Sequence, residues 1–228
     1  MRIAQTPAPL SDRDAVLCDF DGTVTLEDTG LATMEAFGRE GWWEIEFAWR
    51  RGEISSMECL SGQFALADVT PEQYRRFIES QPVDPAFPEL VRLCEQVGAR
   101  FVILTDGLDL YIRWILEKLG LTELEVSSNE GRFDGAGRIV CGFPHQHPVC
   151  KLHGNCKLAH LFRTRRTSRR IIYVGDGYTD RCPAASADVV FAKDVLRDYC
   201  EDAAIPAMPF DTLADVISIL NPSAALSF

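Results

Sequence analysis

The sequence predicts an α/β protein built on a doubly wound parallel sheet, with a small α-helical unit inserted early in the chain. Three observations point there. Short apolar runs recur at 15–20, 100–104, 170–174 and 188–191, as strands buried on both faces do. Helical repeats separate the runs, and strands alternating with helices build parallel sheets. Between Thr25 and Pro85 the alternation stops and only helical patterns remain, a span too long for one strand-to-helix connection.

Taken in order, the first strand is expected at 15–20, followed by helices at 31–39, 42–51, 55–66 and 71–79. The last of these has Thr70 as N-cap, Pro71 in the first turn and Gln73 three residues after the cap, a capping-box arrangement. Pro82, Pro85 and Pro88 then punctuate the return to the sheet. A helix at 88–97 leads into the strand at 100–104. The next helix, 108–119, repeats apolar residues at helical spacing and stops at Gly120, a residue suited to the left-handed conformation that ends helices. A further helix at 156–162 precedes the last two strands. The expected organisation is a Rossmann-like catalytic core from 1–26 and 86–228, with 27–85 as a helical cap.

An apolar share of 46% over 228 residues is enough to bury one large α/β core, or a core plus a smaller unit. No stretch reaches the roughly 18 to 20 uncharged apolar residues of a membrane helix, and Met1 to Leu10 has no signal pattern. The expectation is a cytoplasmic protein without a membrane partner. A net charge of -11 argues against a nucleic-acid partner, since phosphate backbones are held by surplus Lys and Arg. The basic run Arg163, Arg165, Arg166, Arg169, Arg170 reads as a solvated helix end and loop, with an anion contact as the alternative.

Eight cysteines in such a chain read as reduced thiols, with Cys18, Cys59 and Cys94 as small core residues. Cys150, His153 and Cys156 fall at three-residue spacing. With Cys141, His145 or His147 they are candidates for a structural zinc site. The spacing matches no strong zinc pattern, and a loop disulfide or free thiols are the alternatives.

Three strand ends carry chemistry. The first is Cys18-Asp19-Phe20-Asp21-Gly22-Thr23, where a buried strand ends in two carboxylates two positions apart. In a parallel sheet ligands bind beyond the carboxyl ends of strands, and crowded carboxylates call for a cation. The second is Leu104-Thr105-Asp106-Gly107, a hydroxyl and backbone N–H groups at a strand-to-helix junction, suited to an anion. The third is Val174-Gly175-Asp176-Gly177-Tyr178-Thr179-Asp180. Asp176 there completes an oxygen-rich set for a hard divalent ion.

The Asp19-x-Asp21-Gly-Thr motif, Thr105, Lys157 and Gly175-Asp176-x-x-x-Asp180 resemble, in order and spacing, the haloacid dehalogenase superfamily. The early helical block is similar to that of the phosphoserine phosphatase subgroup. The segment Phe143-Pro144-His145 through Cys156-Lys157, with Phe191-Ala192-Lys193-Asp194, resembles the methionine-salvage phosphatases that act on 2-hydroxy-3-keto-5-methylthiopentenyl-1-phosphate. The chain departs from that pattern at Thr105-Asp106-Gly107, where those enzymes carry serine and glycines, so Asp106 adds a negative charge beside the anion cradle.

The resemblance implies a Mg²⁺-dependent phosphomonoesterase working through an aspartyl-phosphate. Asp19 is then the nucleophile and Asp21 the general acid and base. Thr105, Gly107 and Lys157 are the phosphate binders, and Asp19, the Asp21 carbonyl and Asp176 the metal ligands. Asp180 orders its neighbours rather than binding metal. Asp28, near the expected cap hinge, is a candidate for substrate contact, with N-capping of the following helix as the alternative. The expected partner is a small phosphorylated metabolite. Phosphoserine or a phosphoamino alcohol are the alternative substrates, and a phospho-acceptor signalling domain or a catalytically dead binding module the alternative classes. Monomer and homodimer are both open.

Overall fold

The apolar runs become strands. The computed structural model describes residues 6–221; residues 1–5 and 222–228, which the sequence reading assigned to the core, lie outside them. In chain order the elements are β1 (Asp14–Cys18), α1 (Thr29–Phe37), α2 (Trp42–Arg50), α3 (Ser56–Ala65), α4 (Pro71–Ser80), α5 (Phe87–Val97) and β2 (Arg100–Leu108). There follow α6 (Asp109–Leu119), β3 (Glu125–Phe133), β4 (Ile139–Gly142), α7 (Lys157–Thr164) and β5 (Arg170–Gly175). A short 3₁₀ turn (Tyr178–Asp180), α8 (Arg181–Ala184), β6 (Val189–Ala192), α9 (Asp194–Asp202), β7 (Met208–Pro209) and α10 (Leu213–Leu220) complete the chain.

The chain divides into two compact units. The first comprises Met1–Leu26, Val83–Leu104 and Lys157–Phe228; the second comprises Glu27–Pro82 and Thr105–Cys156. The sequence expectation grouped 105–156 with the core instead. That stretch carries α6 and the β3–β4 hairpin, and these pack on helices of the second unit: α6 on α4, and β4 on α3.

In the first unit the strands lie in the order β2-β1-β5-β6-β7, all parallel. Val16 of β1 sits in register with Phe101 of β2 and Ile172 of β5. Every residue of β1 is buried, which is why its sequence reads as a continuous apolar run rather than an alternating one. Ala15, Leu17, Val102, Leu104, Ile171 and Tyr173 pack with Leu161 of α7 in one cluster. The chain steps from β1 to β2 in one direction and from β5 through β6 to β7 in the other. The gap between the ends of β1 and β5 is therefore the topological switch point, where open α/β sheets place their ligands.

The second unit is mostly helical. Ser55 and Thr70 cap α3 and α4 with reciprocal capping boxes. Tyr74 of α4 is fully buried, with its ring edge-on to Trp114 and Phe133 at 5.7 and 6.1 Å. Glu46 of α2 is buried and accepts from Arg50 and Gln63. The antiparallel β3–β4 pair aligns Glu130 with Gly142 and Phe133 with Ile139.

The strands at 100–104 and 170–174 run longer than the apolar runs that announced them. β3 was not anticipated, because its buried positions are Ser127, Ser128 and Asn129 and no apolar period marks it. In α9 only Leu196 and Cys200 are buried, too few to read as a helical stripe. α10 is short and almost uniformly apolar, a pattern that does not separate helix from strand.

The packing sets two different stability costs. Ile172, fully buried on the central strand β5, is expected to cost about 2–5 kcal/mol on truncation to alanine, because the transfer and cavity terms add. Thr70→Ala removes one capping interaction and should cost about 1 kcal/mol. Urea denaturation of both variants checks the ranking; equal losses would contradict the assigned core.

Candidate active site

The site of the first unit is assembled at the ends of β1 and β5. The Asp19 N–H donates to the Val174 carbonyl at 2.9 Å, extending the ladder by one residue. Its side chain is buried, and Oδ1 accepts from the Phe20 N–H at 2.7 Å and lies 2.8 Å from Lys157 Nζ. Among the described residues Oδ2 has no donor. The chain then turns tightly: the Phe20 carbonyl accepts the N–H groups of Thr23, Val24 and Thr25. Gly22 makes the turn possible with φ +76°, and a Cβ at that position would overlap the Asp176 carboxylate. Thr23, fully buried, donates its hydroxyl to Asp176 Oδ1 at 2.6 Å. Asp21 follows Phe20 and is half-buried.

Asp180 organises the other side. It is fully buried and accepts four hydrogen bonds. Oδ1 takes Lys157 Nζ at 2.6 Å and the Tyr173 hydroxyl at 2.5 Å, while Oδ2 takes the Asp176 and Gly177 N–H groups at 3.1 and 2.9 Å. Gly175 is required there, since a Cβ would stand 2.6 Å from Asp180 Oδ2. Two backbone bonds brace the turn from the following element: Lys193 N–H to the Gly175 carbonyl and Leu196 N–H to the Asp176 carbonyl. Lys157 opens α7 and is buried.

The electrostatics separate the three acids. Burial opposes ionisation of Asp180, but Lys157 and the donated hydrogen bonds outweigh it and hold its carboxyl below the usual range. Burial, and then the negative charge of Asp180, push Asp19 well above the usual carboxylate range. The same two causes push Asp176 up to about 7. Burial also disfavours the charged form of Lys157, yet Asp180 and Asp19 reverse this, so the ammonium stays protonated. Burial and Asp180 likewise keep the Tyr173 hydroxyl protonated, as its donor role requires.

Oxygens of Asp19, Asp176 and Asp180 lie within 4.8 Å of one another. Three carboxylates face one ammonium, which leaves excess negative charge, and two of the three acids answer by binding protons more tightly. An all-oxygen set with surplus negative charge suits a hard divalent cation. With its four donors engaged Asp180 is committed to the protein, so Asp19 and Asp176 are the carboxylates able to turn to such an ion.

In the second unit, the Thr105 hydroxyl accepts from the Gly107 N–H at 3.0 Å. Asp106 is buried; its Oδ1 accepts from Asn129 Nδ2 at 2.8 Å and from the Asn155 N–H at 2.7 Å. Asn155 Nδ2 donates to the Thr105 carbonyl at 2.8 Å and the Ser127 carbonyl at 2.9 Å. Asp28 is exposed and caps α1, accepting from the Leu31 N–H at 2.8 Å.

The structure lends the zinc alternative no support. Among the described residues the three aspartates are the only group of three or more His, Cys, Asp or Glu with converging ligand atoms; Cys150, His153 and Cys156 do not form one. The loop is turned by other bonds: His147 Nδ1 accepts from the Val149 and Cys150 N–H groups, and the Cys156 N–H donates to the His145 carbonyl. All eight cysteines are free thiols.

Sequence reasoning missed Thr23 and Tyr173. Thr23 stands in the Asp-Gly-Thr run, and its hydroxyl next to a required glycine was a signal available to be read. Tyr173, embedded in an apolar strand, offered none, because its function is to donate to an acid seven residues further on.

The family described as haloacid dehalogenase-like hydrolase matches residues 16–184. The chain is 31% identical over 213 residues to a 2-hydroxy-3-keto-5-methylthiopentenyl-1-phosphate phosphatase of an Exiguobacterium species, covering 90% of this chain and 96% of that one. It is 29% identical over 222 residues to the protein of the same name from Brevibacillus brevis, covering 93% and 97%. Among solved structures, a phospho-aspartyl intermediate analogue of phosphoserine phosphatase superposes with a TM-score of 0.67 at 19% identity, over 90% of this chain and 97% of that one. A haloacid dehalogenase family hydrolase from Salmonella enterica serovar Typhi gives 0.73 at 16% identity, over 95% and 73%.

Two outcomes follow from this geometry. Because burial and Asp180 push Asp176 up to about 7 and a cation must displace that proton, affinity for a divalent cation, measured with Mg²⁺, should weaken as pH falls, by about fivefold between pH 7 and 6 for this single proton. Calorimetric titration in buffers of different ionisation enthalpy measures both the affinity and the released proton; a pH-independent affinity from 5.5 to 8 would contradict it. Gly22→Ala should abolish Mg²⁺ binding while the protein still unfolds cooperatively, since the added methyl displaces Asp176.

Proposed function

The chain belongs to the haloacid dehalogenase-like hydrolases, and we propose that it is a Mg²⁺-dependent phosphatase of a small phosphorylated metabolite, acting through an aspartyl-phosphate on Asp19. One observation carries the reading. Asp19 has one carboxylate oxygen pinned by Lys157 and the Phe20 N–H and the other without a donor among the described residues, at the switch point of the sheet.

Phosphate monoesters resist hydrolysis, so positioning and charge stabilisation carry most of the catalysis. Lys157 remains a fixed positive charge on Asp19 Oδ1, which leaves Oδ2 as the attacking atom. A bond forms from Oδ2 to phosphorus as the ester P–O bond breaks, and Asp21 gives its proton to the departing alkoxide. In the second half Asp21 takes a proton from the water that attacks phosphorus. The bond to Asp19 breaks, inorganic phosphate leaves, and both carboxyl groups return to their starting states. Thr105 and the Gly107 N–H are assigned to the phosphoryl oxygens. At rest they bond each other, so phosphate exchanges one internal hydrogen bond for two charge-assisted ones.

Asp19, Asp176 and the Asp21 carbonyl would hold Mg²⁺, which when bound supplies positive charge against the phosphoryl oxygens. Asp180 fixes the Asp176 and Gly177 backbone and the Lys157 ammonium, and Thr23 fixes the Asp176 side chain. The proposed substrate is 2-hydroxy-3-keto-5-methylthiopentenyl-1-phosphate, on the support of relatives about 30% identical across nearly the full length of both chains.

With p-nitrophenyl phosphate and Mg²⁺, Asp19→Asn is expected to lower kcat by roughly 10³-fold or more, as removal of a nucleophile does. Retention of a tenth of the activity, or equal turnover in EDTA, would exclude Asp19 chemistry. For the substrate, kcat/KM on the methylthiopentenyl phosphate should exceed that on phosphoserine; the reverse order would reject the substrate assignment and leave the chemistry standing.

A further inference from the structure

Within the second unit, α6 and β3 leave an open cleft of about 410 Å³ between them. Strand alternation gives it one wall. Leu124, just before β3, and then Val126, Ser128 and Glu130 stand two positions apart and so share a face. Helical spacing gives the other wall. Asp109, Arg113, Leu116 and Glu117 stand at positions i, i+4, i+7 and i+8, one stripe of α6. Pro144 and His145, from the segment after β4, line the cleft as well. All these residues belong to one compact unit, and none is assigned to the phosphatase site.

The polar groups of the two walls are matched unequally. On the helix, Arg113 is taken by Asp109 at 2.6 Å, and Asp109 Oδ1 accepts from the Gly131 N–H. Glu117 receives Arg75 at 2.9 Å. On the strand, Ser128 is only 8% exposed, yet its hydroxyl makes no hydrogen bond among the described residues. Side-chain polar groups at buried positions are ordinarily paired. Glu130 is exposed and has no cationic partner among the described residues. Gly142, its opposite number in β4, leaves room for that carboxylate, since a Cβ there would stand 3.1 Å from Glu130 Oε2. Leu116 is a buried apolar floor, with Leu124 and Val126 half-buried beside it. Along one strand face the cleft therefore passes from apolar to acidic, with an unmet hydroxyl between.

We propose that this cleft binds a small organic amine, its ammonium held by the Ser128 hydroxyl and the Glu130 carboxylate and its apolar body laid on Leu116, Leu124 and Val126. Residues two apart on a strand face stand about 6.6 Å apart, a gap that one ammonium bonded to both oxygens spans. The volume falls within the roughly 300 to 1,000 Å³ of small-molecule sites. Charge selects the sign of the ligand. The lining carries three carboxylates, Asp109, Glu117 and Glu130, and the guanidinium groups of Arg113 and Arg75 answer only the first two. An anionic ligand would meet Glu130 unopposed, and a neutral one would leave that carboxylate without a counter-charge.

Calorimetric titration and ¹H–¹⁵N spectra of the full chain test this with 2-phenylethylamine, 3-phenylpropanoate and 3-phenylpropan-1-ol, which share a ring and differ in charge. The amine should bind saturably and shift the amides of β3 and α6. It should bind about tenfold or more tightly than the carboxylate, which would set like charge against Glu130. Glu130→Gln should weaken the amine by about three- to fivefold, the worth of one exposed ion pair, and leave the alcohol unchanged. Ser128→Ala should weaken the amine by a similar factor, since one hydrogen bond is lost. Absence of saturable amine binding to the native protein overturns the site, as does carboxylate binding equal to that of the amine; both comparisons stand even where a variant does not fold. Amine affinity unchanged in a folded Glu130→Gln overturns it too, as do shifts confined to the first unit.

Discussion

A lysine ammonium buried between two carboxylates is the constraint on which the first unit's site depends. Lys157 is 2% exposed, Asp19 5% and Asp180 fully buried. Removing such charges from water costs several kcal/mol per ion, recovered only when geometry is good and remaining lone pairs and protons are satisfied. Asp180 meets that condition with four donors drawn from α7, β5 and the turn after it. The same contacts that make the burial tolerable fix where α7 begins, where β5 ends and how the Gly175–Gly177 turn is aimed. Function and folding are here one set of hydrogen bonds.

That arrangement divides labour among chemically identical side chains. Asp180, saturated with donors, stays ionised and held in place. Asp19 and Asp176 share its surroundings but have fewer donors, and their affinity for a proton rises. Environment, not residue type, separates an acid that anchors from acids free to engage a cation or a phosphorus atom. Gly22 and Gly175 complete the division, since any side chain at either position would enter the space of Asp176 or Asp180.

Much of this was legible in the sequence because the signals are local. Buried parallel strands read as apolar runs, and the acids that matter sit at the ends of those runs, so Asp19, Asp176 and Asp180 could be singled out from spacing. Thr70, Gln73 and Gly120 announced their caps and were found doing so. What the sequence hid is what depends on distant partners. The Thr23–Asp176 bond spans 153 positions, and Tyr173 lies in a run where nothing distinguishes a packed ring from a donor. The polar strand β3 is stabilised by hydrogen bonds from Asn155 to Ser127, which no periodicity encodes. The loop cysteines misled for the same reason: three-residue spacing suggests convergence only if the intervening backbone turns regularly, and here His147 and His145 turn it otherwise.

Asp180 and Asp106 make an instructive pair. Both are buried aspartates that knit separate segments together, and both receive backbone N–H donors. In Asp180 each oxygen has two donors. In Asp106 one oxygen has two and the other none, and the amides beside it add unmet acceptors of their own. Asp180 thereby ties Lys157, Tyr173 and the turn at Asp176 and Gly177 with both oxygens, whereas Asp106 ties Asn129 and Asn155 through Oδ1 alone. The same residue type holds its neighbours more or less rigidly according to how many donors its surroundings supply.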